Sequence, residues 1–299
     1  RKVVHVDQSV EVAGADGTSW AKAFSTVSEA LEDAEEDDVL HIAEGVYCPD
    51  EGPGRVEGDT SERFRIETSV SLVGGFPAGG GVRDPLSYFT TISGDLDGDD
   101  VLADGVTVNA EGQRGVNAGG LLVIEPGEDG EVSFDGVAFT GADGRFFNGG
   151  DLGVFSIRSG KTGFTGCRIV GNKGVGLAQD CEVSFKRCEI SLNTEGLRLT
   201  IFSDAEVVYV NTKIQGNRLK FKYEGGSLSA TNVLYSGNTE WMRLNGGIDA
   251  TFVNLTASGN RVNPIDIMEG GEVFFANCII WNNTAVTGPG ASLYTRSVE

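Results

Sequence analysis

The sequence predicts an all-β fold, a single-stranded right-handed parallel β-helix with three short strands per coil of about 22 residues and an N-terminal capping helix. Three observations carry this. Six asparagines, Asn172, Asn193, Asn217, Asn238, Asn260 and Asn283, recur at steps of 21, 24, 21, 22 and 23 residues. The residues eight positions before them (Phe164, Phe185, Tyr209, Ala230, Phe252, Phe275) and five before them (Cys167, Cys188, Thr212, Val233, Leu255, Cys278) repeat in step. Glycine is abundant, 44 of 299 residues, and proline scarce at seven, which suits many tight corners. An antiparallel sandwich is the competing reading, but it has no reason to hold one period in three residue classes together.

Each element follows from its residues. Val3-Val4-His5-Val6 reads as a strand, and Gly14-Ala15-Asp16-Gly17 as a turn. A helix is expected at about residues 26–37: Thr26 and Glu29 have capping-box spacing, and Phe24, Val27, Ala30, Leu31 and Ala34 form an apolar stripe. A solenoid must cover the open end of its core, and this helix is assigned that role. Strands are expected at Val39–Ala43, Ser69–Val73 and Thr90–Ser93. From there each coil reads Phe-x-Asn-(Cys/Val/Leu), a short alternating run, then Gly-Asn. The Asn and Gly positions, including Gly166, Arg187, Asn211, Asn232, Asn254 and Asn277, are where the chain turns its corners. Residues 1–110 are read as the cap and first coils, and 111–299 as regular coils of one continuous solenoid.

The first hundred residues carry an ordered series: Gly17-Thr18-Ser19-Trp20, Ala23-Phe24, Ala30-Leu31, Asp38-Val39-Leu40-His41-Ile42-Ala43-Glu44-Gly45-Val46-Tyr47, Gly74-Gly75-Phe76, Arg83-Asp84-Pro85 and Ile92-Ser93-Gly94-Asp95. This series resembles the N-terminal portion of large secreted bacterial right-handed parallel β-helix repeat proteins. These are of the choice-of-anchor or polymorphic-outer-membrane-protein-like kind, within the pectate-lyase-like superfold. The resemblance implies export, an extracellular or cell-surface location and an adhesive or structural role. It implies no particular reaction.

The net charge is −21, distributed unevenly: residues 1–150 carry 30 acids against 9 bases, and the remainder 14 of each. Nucleic acid is excluded as a partner of such a chain. No run of 18 apolar residues exists to span a membrane. The chain begins at Arg1 and is read as a mature or excised segment. The five cysteines match no zinc spacing, and Cys167 and Cys188 are expected to stack on neighbouring coils as buried apolar residues or within disulfide reach.

Alternation after each asparagine corner points Val175/Leu177, Leu197/Leu199, Leu219/Phe221, Met242/Leu244 and Ile265/Ile267 inward. The residues between them gather Arg198, Arg218, Lys220, Lys222, Trp241 and Arg243 on one outer wall. Arg matches carboxylate or sulfate with paired bonds, and Trp offers a flat face to a sugar ring. The function expected is an extracellular scaffold or adhesin, with an acidic polysaccharide or matrix component on that wall and end-to-end self-association. The alternative is a polysaccharide lyase using Lys220, Arg243 and Asp266. Against binding stands pairing of the bases with Glu195, Glu224 and Glu240. Against catalysis stands the lack of a second carboxylate beside Asp266 and of a histidine, since His5 and His41 lie near the N-terminus. The insertion Gly141–Gly153 is the segment expected to wall a cleft. No cofactor is required. Asp95, Asp97, Asp99 and Asp100 read as an acidic solvated turn or, in the alternative, as oxygen ligands for calcium, although Gly98 comes too early for an EF-hand.

Overall fold

The computed structural model describes residues 1–109, 114–144, 153–194, 199–202, 205–262, 264–268, 271–284 and 293–296. Three parallel sheets run the length of the molecule, with ten, nine and nine strands among the described residues. Sheet 1 begins with Val3–Val6, Asp38–Ala43 and Val70–Phe76 and continues through Glu131–Asp135 to Val273–Ala276. Sheet 2 runs from Gly45–Tyr47 to Ile279–Trp281, and sheet 3 from Phe64–Ile66 to Leu293–Arg296. Each coil contributes one strand to each sheet in turn, so the chain is a right-handed parallel β-helix.

The core lies inside the coil and is built from stacked equivalents. Phe134, Phe164, Phe185 and Tyr209 stack face to face at 5.1 Å between successive rings. Ala230 interrupts the column, and Phe252 and Phe275 resume it at 5.0 Å. The asparagines at the corner after sheet 2 are also buried. Asn172, Asn193, Asn217 and Asn238 are fully inaccessible. Each Nδ2 donates to a carbonyl of the preceding coil, for example Asn193 to Ile169 at 2.9 Å and Asn217 to Ile190 at 2.9 Å. From Asn193 onward each Oδ1 accepts from both the backbone N–H and the Nδ2 of the asparagine one coil earlier, as Asn238 does from Asn217 at 3.0 Å, while Asn172 Oδ1 accepts from Ala142 N–H at 3.0 Å. A buried amide with every lone pair and hydrogen in use incurs no penalty for leaving water.

The left-handed corners belong to other columns. Asn211, Asn232, Asn254 and Asn277, between sheets 1 and 2, have φ of 52–55°, and Gly136, Gly166 and Arg187 precede them in the column. A second such column, Gly171, Leu192, Gly216, Gly237, Gly259 and Asn282, immediately precedes the buried asparagines. The outer asparagines also bond along the axis, Asn232 Nδ2 to Asn211 Oδ1 at 2.9 Å. The sequence period thus contains two asparagine ladders: one bends the backbone and one satisfies it.

The cap matches its expectation in kind and is shorter in extent. The helix is Val27–Asp33, with the Thr26–Glu29 capping box formed and Val27 and Ala30 buried. It stops four residues early because Glu32, Asp33, Glu35, Glu36 and Asp37 crowd its negative end. Residues 17–24 close the edge of the first strand: the His5 N–H donates to Gly17 O, Phe24 N–H to His5 O and Asp7 N–H to Phe24 O. Val6 and Phe24 form a parallel bridge. Cys167 and Cys188 carry free thiols that donate to carbonyls of the preceding coil, Phe134 O at 3.5 Å and Phe164 O at 3.3 Å. Thr212 takes the same role with its hydroxyl, which confirms their place in the buried ladder. No helix among the described residues is long and apolar enough to cross a membrane.

Candidate functional site on the outer face of sheet 3

The wall forms, in a register different from the one expected. Lys222, Arg243 and Asp266 stand in line on successive strands, with Thr200 below them. Glu224 and Asn245 are neighbours in the next outward row. Lys220 and Trp241 immediately precede the inward-facing Phe221 and Met242, so they lie side by side one step along. Arg218 is exposed in the turn after Asn217. Gly176 and Ala178 are buried and Leu177 is half-buried between them, the reverse of the expected alternation. Arg198, Glu195 and most of the Gly141–Gly153 insertion lie outside the described residues.

The expected column mixed two rows because the corner varies in length. Four residues separate the ladder asparagine from the first row of sheet 3 at Asn172, Asn217 and Asn238, five at Asn260 and six at Asn193. A slip of one residue exchanges inner and outer faces.

The wall is not a bare row of cations. Arg243 Nε and Nη2 both reach Asp266 Oδ2, at 3.0 and 2.9 Å. Lys222 Nζ pairs with Glu224 Oε1, and Asn245 Nδ2 lies 3.5 Å from the same oxygen. Glu224 thus pairs with a base of the wall, as the salt-bridge reading expected, and is the second carboxylate there. Glu240 contributes its backbone carbonyl, which accepts from Tyr235 Oη at 3.1 Å. Trp241 is flanked by two cations, Lys220 Nζ at 4.7 Å and the Arg243 guanidinium at 4.9 Å from the ring centroid. Contacts of this kind hold both side chains against the ring.

Asp266 is 9% exposed, and its Oδ1 is covered and has no hydrogen-bond partner. A covered carboxylate oxygen without a donor carries a desolvation cost. The face offers an indole ring with two cations held against it. For lyase chemistry the arrangement is unfavourable. Arg243 is bound to the Asp266 carboxylate and Lys220 lies on the indole face, so neither is positioned as a base.

The other expected site lies far along the chain. The carboxylates of Asp95, Asp97 and Asp99 converge, with ligand atoms within 4.8 Å of one another. Asp100 turns away from them: its side chain is fully covered, and Oδ2 accepts from Thr107 Oγ1 and Asn117 Nδ2 at 3.1 and 3.2 Å.

No family model matches this chain, and no curated protein matches it. Among solved structures, the crystal structure of the pectin methylesterase from Aspergillus niger in penultimately deglycosylated form aligns over 99% of this chain and 90% of its own. The identity is 16% and the TM-score 0.50. The same enzyme in deglycosylated form aligns over the same shares at 15% identity and a TM-score of 0.48. At these identities the chain is similar to the enzyme in fold, a parallel β-helix coiled along its whole length.

Proposed function

We propose that this chain is an extracellular or cell-surface β-helix that binds an acidic polysaccharide on the outer face of sheet 3, as an adhesive or scaffolding module. The observation that carries the reading is the convergence of Trp241, Lys220 and Arg243 on one face. The indole ring offers the flat apolar surface that a sugar ring stacks on. Arg218 and Lys220 have no carboxylate partner among the described residues and supply the attraction for uronate or sulfate. The Lys222–Glu224 and Arg243–Asp266 pairs leave the face only mildly positive, which favours a ligand of modest charge density over a densely charged polymer. The fold neighbour is named for pectin, and an acidic glycan of that kind is the ligand class assigned here.

A glycan array read at low salt tests this. The native chain is expected to be retained on uronate-containing glycans, with retention falling as salt rises past about 0.1 M. Trp241→Ala should weaken retention about tenfold, and adding Lys220→Ala should weaken it further. Retention unchanged in the double variant would overturn the assignment.

A further inference from the structure

The two histidines of this chain meet in space. His5 and His41 are opposite each other on the first two strands of sheet 1, with ring centroids 5.8 Å apart. Two further rings close the cluster. The Trp20 indole lies 4.7 Å from His5 and 5.3 Å from Phe76, and Phe76 stacks on His41 at 4.5 Å. The turn after Phe76 folds over this group: a β-carbon at Gly80 would meet the Trp20 ring at 2.2 Å. The cluster thereby holds the 17–24 segment, which guards the edge of the first strand. His5 donates to Gly17 O twice, from its backbone N–H at 2.8 Å and from Nδ1 at 3.0 Å, and its own carbonyl accepts from Phe24 N–H at 2.9 Å.

Phenylalanine at both positions would pack against these rings with nothing to titrate; imidazoles bring a charge change near neutral pH. The charged groups around them are otherwise engaged. In the turn before the cap, Asp16 and Lys22 pair with each other at 3.0 Å. Asp7, after the first strand, accepts from Ser9 and Gly79 N–H, and Glu44, after the second, accepts from Ala78 N–H. Arg83, in the turn after Phe76, pairs with Asp135. Neither imidazole has a carboxylate partner among the described residues. Burial, reinforced by the nearby His5 and Arg83, holds the His41 pKa below the ordinary histidine value.

We propose that the ring cluster of His5, Trp20, His41 and Phe76 is an acid-sensitive clasp, which holds the 17–24 segment over the edge of the first strand and opens when His41 takes up a proton. Protonation places a cation among rings and beside Arg83, with no carboxylate to receive it. The sign follows from the lowered value. The open form binds the proton more readily than the closed one, so the clasp is fully effective above about pH 6.5 and weakens as pH falls from there toward the lowered pKa. Opening frees Gly17 and Phe24 from Val3–Val6, and acid uncovers a strand edge that neutral solution keeps bonded.

Nuclear magnetic resonance on the full chain tests this. Two imidazole signals are expected, the His41→Phe spectrum assigns them, and His41 should titrate below about 6.5. Amide hydrogen exchange, corrected for its intrinsic pH dependence, reads the edge. Protection of the Asp7 and Phe24 amides should fall severalfold between about pH 7.5 and 5.5, while the ladder amides of Asn193 and Asn217 hold theirs. His41→Phe keeps a ring against Phe76 and removes the titrating group, so the fall should disappear. A His41 pKa at or above the ordinary value overturns the proposal, as does an equal fall in the folded variant. Should that variant fail to fold, native exchange decides alone: Asp7 and Phe24 protection that does not change with pH, or that falls only in step with the ladder amides, refutes the clasp.

Discussion

The two halves of this molecule solve one problem with different residues. Both must satisfy backbone N–H groups at corners where no strand partner exists. In the first half the acceptors are aspartates. Asp38 accepts from Lys2 N–H at 2.7 Å and Glu35 N–H at 2.9 Å. Asp7 accepts from Ser9 and Gly79, and Asp95 from Gly98, Asp99 and Asp100. In the second half the acceptors are asparagines repeated at every coil. The difference lies in stacking. Each early corner is unique, so its charge meets no copy of itself. Equivalent positions of successive coils lie about 4.8 Å apart, and like charges at that spacing repel by roughly 3 kcal/mol at an effective dielectric of about 20. A ladder must be neutral, whereas an isolated staple gains from charge.

The most disruptive way to break this contrast is to put a charge into the ladder. Asn217→Asp removes the donor to Ile190 O and to Asn238 Oδ1 and buries a carboxylate. We expect a loss of about 3–5 kcal/mol in urea unfolding at pH 7. The new carboxyl would have its pKa raised by burial, so the loss should shrink as pH falls through that raised value. A loss that does not depend on pH would mean that geometry, not charge, excludes aspartate.

The converse removes charge from an isolated staple. Burial pushes the Asp38 carboxyl up, but the N–H groups of Lys2 and Glu35 and the Lys2 charge outweigh it, so the pKa lies below the ordinary value. A depressed carboxylate stabilises the fold above its unfolded pKa, and that contribution is lost as pH falls through the folded pKa. Asp38→Ala should therefore cost about 1–3 kcal/mol at pH 7 and progressively less below pH ~4. Urea midpoints measured at several pH values provide the check.

The smallest effect sharpens the corner side of the comparison. Leu192 holds φ of 55° in a column otherwise taken mainly by glycine and is 57% exposed. Leu192→Gly should stabilise the chain by about 1 kcal/mol, read as a small rise in Tm. A fall would show that its contact with the neighbouring coil outweighs the strain.

The repeat made much of this legible. The phenylalanine, cysteine and asparagine columns stack as the period requires, and Thr26 caps the helix that its spacing with Glu29 announces. The site was legible in membership and less so in arrangement. Lys220, Lys222, Trp241, Arg243 and Asp266 do share a face, but their rows depend on corner lengths that no local pattern states. The pairing of Arg243 with Asp266 became visible only once Met242 and Ile265 were known to be opposite each other. Glu224 was legible as a partner of the bases, but its place, two positions from Lys222 on its own strand and beside Asn245 on the next, was not.

The covered edge of the first strand bears on how copies of this molecule meet. The outward N–H and C=O groups of His5 and the N–H of Asp7 are already bonded to Gly17 and Phe24. A strand arriving at that end would find no ladder to join. Polymers in which one copy adds its last coil to the next copy's first strand are therefore blocked at the acceptor. Any end-to-end self-association of this chain would have to avoid the bonded His5 edge.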